Sequence, residues 1–477
     1  MAPLKPQRIR DPVHNLIPFG TDQFENTLWR VIQTAPFQRL RRIRQLGFTD
    51  LVFPGATHTR FAHSIGVFHT ARQLVRVIRD NIGTDRSRQF GEHQAHVAMA
   101  AALVHDVGHG MFSHAFEQVG KKLGISLAQH EIVSERLIRE TEIATELNRS
   151  LGGGFANDVA TLVGRKEPGN LYDAVVSSQF DADRLDYMQR DRMMTGVQSS
   201  AIDLTWLLAN LEVESVATGA DDEKSGSVET LVLGPKAAQV AESYVISLFH
   251  LYPNVYLHKA TRGAEMLFSA LMRCLIRLVG EGHETKTGLS LNHPMIRFAR
   301  DPNSIEHALG LDDLVFWGAL PLLAEAEDTV VGRLAVSLRD RQLLECIDIR
   351  HHAESELPKR AEDDRARHRA KVSLACTNIA KVLEARYADA PDGSETVLVD
   401  QYRREPYKRY QDSNTPLNRI LIRTGGTPPV RDMAELSPVI AGAEPYEICR
   451  AYVFRGDTKG RLEIENVMRT EFQGWKP

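Results

Sequence analysis

The stretch that most restricts the fold is residues 93 to 107, HQAHVAMAAALVHDV, an Ala-rich run apolar almost all round that ends at His105-Asp106. A helix with no polar face has to lie inside a larger helical body. The run therefore predicts a buried central helix, loosened at its end by Gly108 and Gly110. Upstream, VAMAAALV has no partner to offer Asp106. Burying a bare carboxylate is costly, so Asp106 calls for a cation or several donors, and a divalent metal would supply both.

With 477 residues the chain is too long for one ordinary core and suits two or three. Its 43% hydrophobic and 25% charged residues exclude global disorder, collagen-like repeats and coiled-coil rods. A formal net charge of -4 provides no overall basic field for nucleic acid or acidic lipid, so any anion site must be local. Cys274, Cys346, Cys376 and Cys449 are far apart with no C-x-x-C spacing, which argues against a disulfide framework and fits a reducing compartment. The N-terminus has no apolar leader-like region, and no run of membrane-spanning length occurs. A soluble cytoplasmic protein is expected.

Apolar spacing predicts two short helices over Asn26 to Gln45 with a new start at Pro36, and helices over Arg60 to Asn81, Gln129 to Thr141, Ile143 to Ser150, Tyr172 to Met194 and Ala237 to Val279. Two alternating runs within residues 211–233 flank a Gly/Asp/Ser tip and read as an inserted β-hairpin. The charged stretch 354–368 reads as a solvated helix or loop, and Ala388 to Gly393 as a turn. Thr396 to Asp400, Asn418 to Arg423 and Ile448 to Arg455 are β-rich and suggest a small C-terminal α+β lobe. The expected fold is mainly α. Its expected parts are an N-terminal segment with helices packing on the core (1–52), a helical core (53–200), a helical extension carrying the hairpin (201–385) and the C-terminal lobe (386–477).

Ten of the 18 histidines lie in the first 130 residues, where an even spread would put about five. The pair His105-Asp106 means little alone, but His109 and His114 follow it in H-D-V-G-H-G-M-F-S-H. His63, His105, Asp106 and Asp183 can converge from three helices as a mixed N/O set, leaving open positions for water and substrate. Such a set suits Mn, Fe, Zn, Ni or Co better than Ca and would acidify a bound water. Taken singly, each of these residues is more often a core histidine or a capping aspartate.

The order D-P-V-H at 11–14, F-Q-R-L-R-R-I-R-Q-L at 37–46, F-P-G-A-T-H-T-R-F-A-H-S-I-G-V at 53–67, H-D-V-G-H-G-M-F-S-H at 105–114, H-E at 130–131 and D-A-D-R-L-D-Y-M-Q-R-D at 181–191 resembles the HD-domain phosphohydrolases, most closely their deoxynucleotide triphosphohydrolase branch. The resemblance covers about residues 8–280 and returns more weakly at Asn418 to Arg423 and Ile448 to Val453; no sterile alpha motif is expected ahead of Asp11. It implies an all-helical HD core with His63, His105, Asp106 and Asp183 on the metal, His109 and His130 beside it, and His114, oriented by Glu117, acting on the leaving group. It also implies that Arg60, Arg184 and Lys259 hold phosphate oxygens, Tyr187 and Asp191 contact the sugar, Gln45 reads a 3'-hydroxyl and Tyr256 packs near the base. The implied reaction is attack of metal-activated water on the α-phosphorus, releasing deoxynucleoside and tripolyphosphate, with Mg arriving on the substrate. A homodimer or tetramer and a nucleotide activator are implied as partners; a membrane is not, and nucleic acid is disfavoured.

The chain departs from that pattern at Leu248, which stands where the best-known member has an Arg for the terminal phosphate. Gln7 and Gln33 replace a Lys and an Asp of a regulatory guanine-nucleotide site, although Arg41 matches a third element. The arginines of 39–44 read equally as an anion-binding surface or a solvated face, and His351-His352 and His69 as structural or surface residues. The competing functions are an HD-type nucleotidase, phosphodiesterase or nuclease on another phosphate ester, and a nucleotide-sensing binding protein.

Overall fold

A computed structural model describes residues 5–83, 88–199, 201–218, 226–357, 364–387, 397–405, 407, 415–427 and 429–475. The hairpin tip at 219–225, residues 358–363 of the charged stretch and the turn at 388–393 lie outside the described residues. The chain is mainly helical and forms two compact units. The first comprises Met1–Val255, Asn303–Leu314 and Pro406–Glu444; the second comprises Tyr256–Pro302, Val315–Glu405 and Pro445–Pro477. Among the described residues no helix is long and apolar enough to cross a membrane, and all four cysteines are free thiols.

In the first unit the Ala-rich run forms the helix Glu92–Val104, buried from Val97 through Val104. It packs against Arg60–Gly83 and Phe155–Val163, and Arg60–Gly83 packs in turn against Ala182–Thr195. Gly66 makes that last packing close, because a Cβ there would run into the Asp186 carboxylate and the Arg190 guanidinium.

Strands Gln7–Asp11 and Asn15–Phe19, not foreseen from the sequence, form an antiparallel hairpin. Its turn is set by Asn15 in the left-handed region (φ 62) and by Asp11 Oδ1, which accepts the Val13 and His14 N–H groups at 2.9 Å. The hairpin carries Asp11 to Arg190 (2.8 Å) and His14 to Asp186 (2.7 Å).

The expected inserted hairpin is present as Leu211–Ala217 and Ser227–Leu233. The β-rich runs expected together in one C-terminal lobe separate. Leu421–Arg423 extends the inserted hairpin's sheet by parallel pairing of Val232 with Leu421, so it belongs to the first unit. Tyr446–Val453 is the central strand of the second unit, between Glu345–Asp348 and Val397–Arg404. Arg365–Tyr387 and Thr458–Gln473 cover that sheet, burying Ile379, Leu383, Val467 and Phe472 with Ala451 and Val453.

Two helices expected as single pieces are broken. Asp181 is extended and caps Ala182–Thr195 by accepting the Arg184 N–H at 2.8 Å, so only a short turn, Asp173–Val175, precedes it. The run from Ala237 breaks where Pro253 removes a donor: Ala238–Leu251 ends in the π turn Tyr252–Tyr256, and extended His258 starts Lys259–Gly280.

Arg190 has a fully buried side chain held between two carboxylates, Asp11 and Asp186. Removing it leaves Asp11 to main-chain N–H groups and Asp186 to His14 and His63, with no guanidinium between the two buried carboxylates. Arg190→Ala is therefore expected to lower the unfolding free energy of this unit by about 3–5 kcal/mol, read from urea denaturation, whereas Arg76→Ala at an exposed ion pair should leave the midpoint unchanged.

Candidate active site

Two helices, Arg60–Gly83 and Ala182–Thr195, and the loop after Glu92–Val104 bring the expected ligand residues together. His63, fully buried on Arg60–Gly83, directs Nδ1 at Asp186 Oδ2 (2.8 Å) and Nε2 at Asp183 Oδ1 (3.0 Å). His105 donates from Nδ1 to the Ala102 carbonyl at 2.9 Å. Its Nε2 is buried without a hydrogen-bond partner, 3.2 Å from Asp106 Oδ1 and 3.7 Å from Asp183 Oδ1. Ligand atoms of His63, His105 and Asp183 all lie within 4.8 Å of one another. Asp106 joins from the side: one oxygen pairs with Arg60 and lies 3.7 Å from His63 Nε2, and the other lies 3.2 Å from both His105 and His109.

The charges show what this cluster wants. Burial alone would push the His63 imidazole down, but its bonds to Asp183 and Asp186 outweigh burial and raise it to about 10. His105 is raised against burial by the charge of Asp106 and by Asp183. Burial favours neutral Asp183, yet both imidazoles hold it well below the carboxylate range. A cluster that retains protons in the interior has a high affinity for positive charge. Two imidazoles and two carboxylates, with His105 Nε2 unpartnered, fit a divalent cation.

Beside it stand three more imidazoles. His109 is buried and stacked on His130 with ring centres 3.8 Å apart. Burial first, then the Arg60 charge, holds it well below the usual histidine range, so it is neutral. Glu117 accepts from His114 Nδ1 at 3.0 Å and from His130 Nδ1. Although burial works the other way, these two bonds keep Glu117 a carboxylate. His114 is thereby anchored at Nδ1 with its side chain 71% exposed.

The substrate-side residues are distributed differently. Arg60 is buried, bonded to Asp106 and, at 2.7 Å, to Ser113 Oγ. Arg184 is bonded to Asp181 and the Ser178 carbonyl, and Tyr187 lies half-buried with its ring centre 6.5 Å from that of His63. Asp191 is buried against His58 at 2.8 Å, and the His58 carbonyl accepts the Gln45 N–H at 3.0 Å. Gln45 Oε1 is buried with no hydrogen-bond partner. Tyr256 and Lys259 belong to the other compact unit, and Leu248 is buried in Ala238–Leu251.

The arginine run at 39–44 divides between interior and surface, with Arg39 buried and Arg41 and Arg42 exposed. Arg39 is buried and donates to the carbonyls of His109 (2.7 Å), Leu309 (3.0 Å) and Leu311 (2.7 Å). Arg42 pairs with Asp312, Arg44 with Asp50, and Arg41 lies over the Phe61 ring. Sequence reasoning missed Asp186, Arg190, Asp11, His14 and His58. The signal for two of them was within the quoted D-A-D-R-L-D-Y-M-Q-R-D: Asp186 is one turn after Asp183 and Arg190 one turn after Asp186.

Residues 60–188 match the family model described as HD domain. The uncharacterized protein YwfO of Bacillus subtilis is 30% identical over 348 residues, 72% of this chain and 72% of that one. The chain belongs to the HD-domain phosphohydrolase superfamily. Among other HD-domain relatives, the deoxynucleoside triphosphate triphosphohydrolase SAMHD1 of Bos taurus is 33% identical over 220 residues, and the match spans 36% of its length. The fold is shared with a crystal structure of a phosphohydrolase from Bacteroides thetaiotaomicron, with a TM-score of 0.68 at 23% identity, covering 94% of this chain and 100% of that one.

Gly108, in the middle of the HD motif loop, has no room for a side chain: a Cβ would collide with the backbone nitrogen of Ser134 and the backbone oxygen of His130. Neither backbone atom can swing away. Gly108→Ala is expected to cost about 1–3 kcal/mol of stability and to loosen His109 from His130. Chemical denaturation and the fine structure of the histidine NMR signals check both.

Proposed function

We propose that this chain is a metal-dependent phosphohydrolase that cleaves deoxynucleoside triphosphates to deoxynucleoside and tripolyphosphate. The observation that carries the reading is the unpartnered His105 Nε2 among His63, Asp106 and Asp183, one loop away from the His114–Glu117–His130 group. The identity with a deoxynucleoside triphosphate triphosphohydrolase across this region supports the substrate.

His63, His105, Asp106 and Asp183 would hold the cation. A divalent ion there supplies Lewis acidity, acidifying a water and offsetting charge on a phosphoryl oxygen. His114, fixed at Nδ1 by Glu117 and open to solvent at Nε2, delivers the proton that the departing 5'-oxygen needs. Neutral His109, pressed on His130, offers a hydrogen bond to the phosphate without adding charge. Arg60 and Arg184 bind phosphate oxygens. On the sugar side the unpartnered Gln45 Oε1 accepts a hydroxyl, Asp191 braces His58, and Tyr187 provides an apolar face.

Leu248 favours a second reading, a shorter phosphate ester, because a buried leucine offers no charge to a terminal phosphate. A purely nucleotide-sensing role is disfavoured, since binding alone has no use for a leaving-group imidazole anchored on a carboxylate.

The two enzymatic readings are separated by product analysis. Mn-loaded protein with Mg is expected to release tripolyphosphate from at least one deoxynucleoside triphosphate, seen by phosphorus NMR; nucleoside monophosphate with pyrophosphate would refute the reading. His105→Ala and Asp183→Ala are expected to lose both the activity and the bound metal, the latter measured by elemental analysis.

A further inference from the structure

We propose that Asp313 is a positioning residue for His114: its buried carboxylate holds the left-handed Phe112–Ser113 turn from which the His114 helix starts. The inference rests on the reading of His114 as the leaving-group acid.

Phe112 (φ 50) and Ser113 (φ 53, ψ -113) are consecutive non-glycine residues in a backbone region that favours glycine. Ser113 occupies the corner that glycine normally takes in a type II′ turn. Such strain persists only where the surroundings over-determine it, and it collects at working sites. The next residue is His114, the first of the helix His114–Leu123. The turn therefore aims the His114 side chain, and its direction brings Nδ1 to Glu117 and the ring centre within 5.5 Å of that of His109.

Local capping does not hold this turn. Ser113 is a good helix-capping residue by type, but its hydroxyl accepts from Arg60 Nε and makes no cap bond. Main-chain bonds close the turn, from the Ser113 N–H to the Gly110 carbonyl at 3.0 Å and from the Ala115 N–H to the Phe112 carbonyl at 3.1 Å, and distant groups brace it. Asp313 Oδ1 accepts the Phe112 N–H at 2.8 Å, and Asp313 Oδ2 accepts the Arg44 N–H at 2.8 Å. The Phe112 ring stacks on Phe48 at 4.0 Å. Asp313 is 1% exposed, and burial pushes its carboxyl up to about 6 against the pull of those two N–H groups and Arg44. A carboxylate kept in the interior to bind two main-chain N–H groups is a costly way to satisfy them unless the conformation it enforces matters. Asp313 touches neither the four expected metal ligands nor His114, so it acts through the turn.

The test compares full-length, Mn-loaded wild type with Asp313→Asn and Asp313→Ala on two substrates. A deoxynucleoside triphosphate expels a 5'-alkoxide that must be protonated, whereas bis(p-nitrophenyl) phosphate expels a phenolate that leaves without a proton. Both variants are expected to lose about 10²-fold in kcat on the triphosphate, with KM, metal content and the nitrophenyl ester rate within about twofold of wild type. Parallel losses on both substrates, or no loss on either, would overturn the proposal.

A double-mutant cycle guards against a variant that fails to fold, because glycine adopts the turn unaided. In a Ser113→Gly background the Asp313→Asn penalty is expected to shrink to a few-fold, and an undiminished penalty refutes the role. If the wild type cleaves the nitrophenyl ester but no deoxynucleoside triphosphate, the substrate reading fails by itself. Asp313 is then judged from the His114 ring resonance, assigned by its loss in His114→Gln: it should move in Asp313→Asn, and a stationary signal sinks the proposal.

Discussion

The Asp186 carboxylate is the point on which the catalytic unit turns. It accepts from His63 Nδ1 and from Arg190, and it pairs with His14 Nε2. These bonds tie Arg60–Gly83, Ala182–Thr195 and the N-terminal hairpin together in a space so tight that Gly66 cannot carry a methyl group. With Nδ1 occupied, the His63 imidazole has one nitrogen left, and it faces Asp183 and Asp106. A carboxylate behind an imidazole fixes the ring's tautomer and orientation and raises its basicity, which is how protein metal sites commonly support their ligands.

The same arrangement recurs a few ångströms away with a different outcome. Glu117 also holds imidazoles by Nδ1, but one of them, His114, is open to solvent where His63 is sealed. Burial separates the two groups into tasks. In the proposed function the sealed histidine would bind the cation and the open one would exchange protons. Between them Asp106 is shared, reaching Arg60 on one side and His105 and His109 on the other, so charge brought to one group is felt in the next.

Much of this was legible in the sequence wherever local pattern and chemistry coincided. The Ala-rich helix, the break at Pro36 and the inserted hairpin follow from periodicity and turn chemistry, and the structure has all three. The convergence of His63, His105, Asp106 and Asp183 was anticipated from residue types in a buried setting. What escaped was set by distant partners. Of the arginines at 39–44, Arg41 and Arg42 do lie exposed, but the local pattern gives no sign that Leu309, Leu311 and Asp312 engage Arg39 and Arg42 from some 270 positions later. Asp313 and Asp186 are likewise ordinary acidic residues in the sequence, and only their main-chain and imidazole partners show their use. The strand at Leu421–Arg423 was read correctly as β-rich but assigned to the wrong neighbours, because its parallel partner, Ser227–Leu233, is far away in the chain.

The interrupted course of the first unit has a consequence for how the protein comes into being. Its His/Asp cluster is encoded within the first 191 residues, but the groups that hold Arg39 and Phe112 are supplied by 309–313, and a further strand of its sheet by 421–423. A ribosome has thus released every candidate ligand long before it releases their braces. A nascent chain, or a fragment ending near Val255, would carry all four candidate ligands while still lacking the carboxylate that braces the Phe112–Ser113 turn.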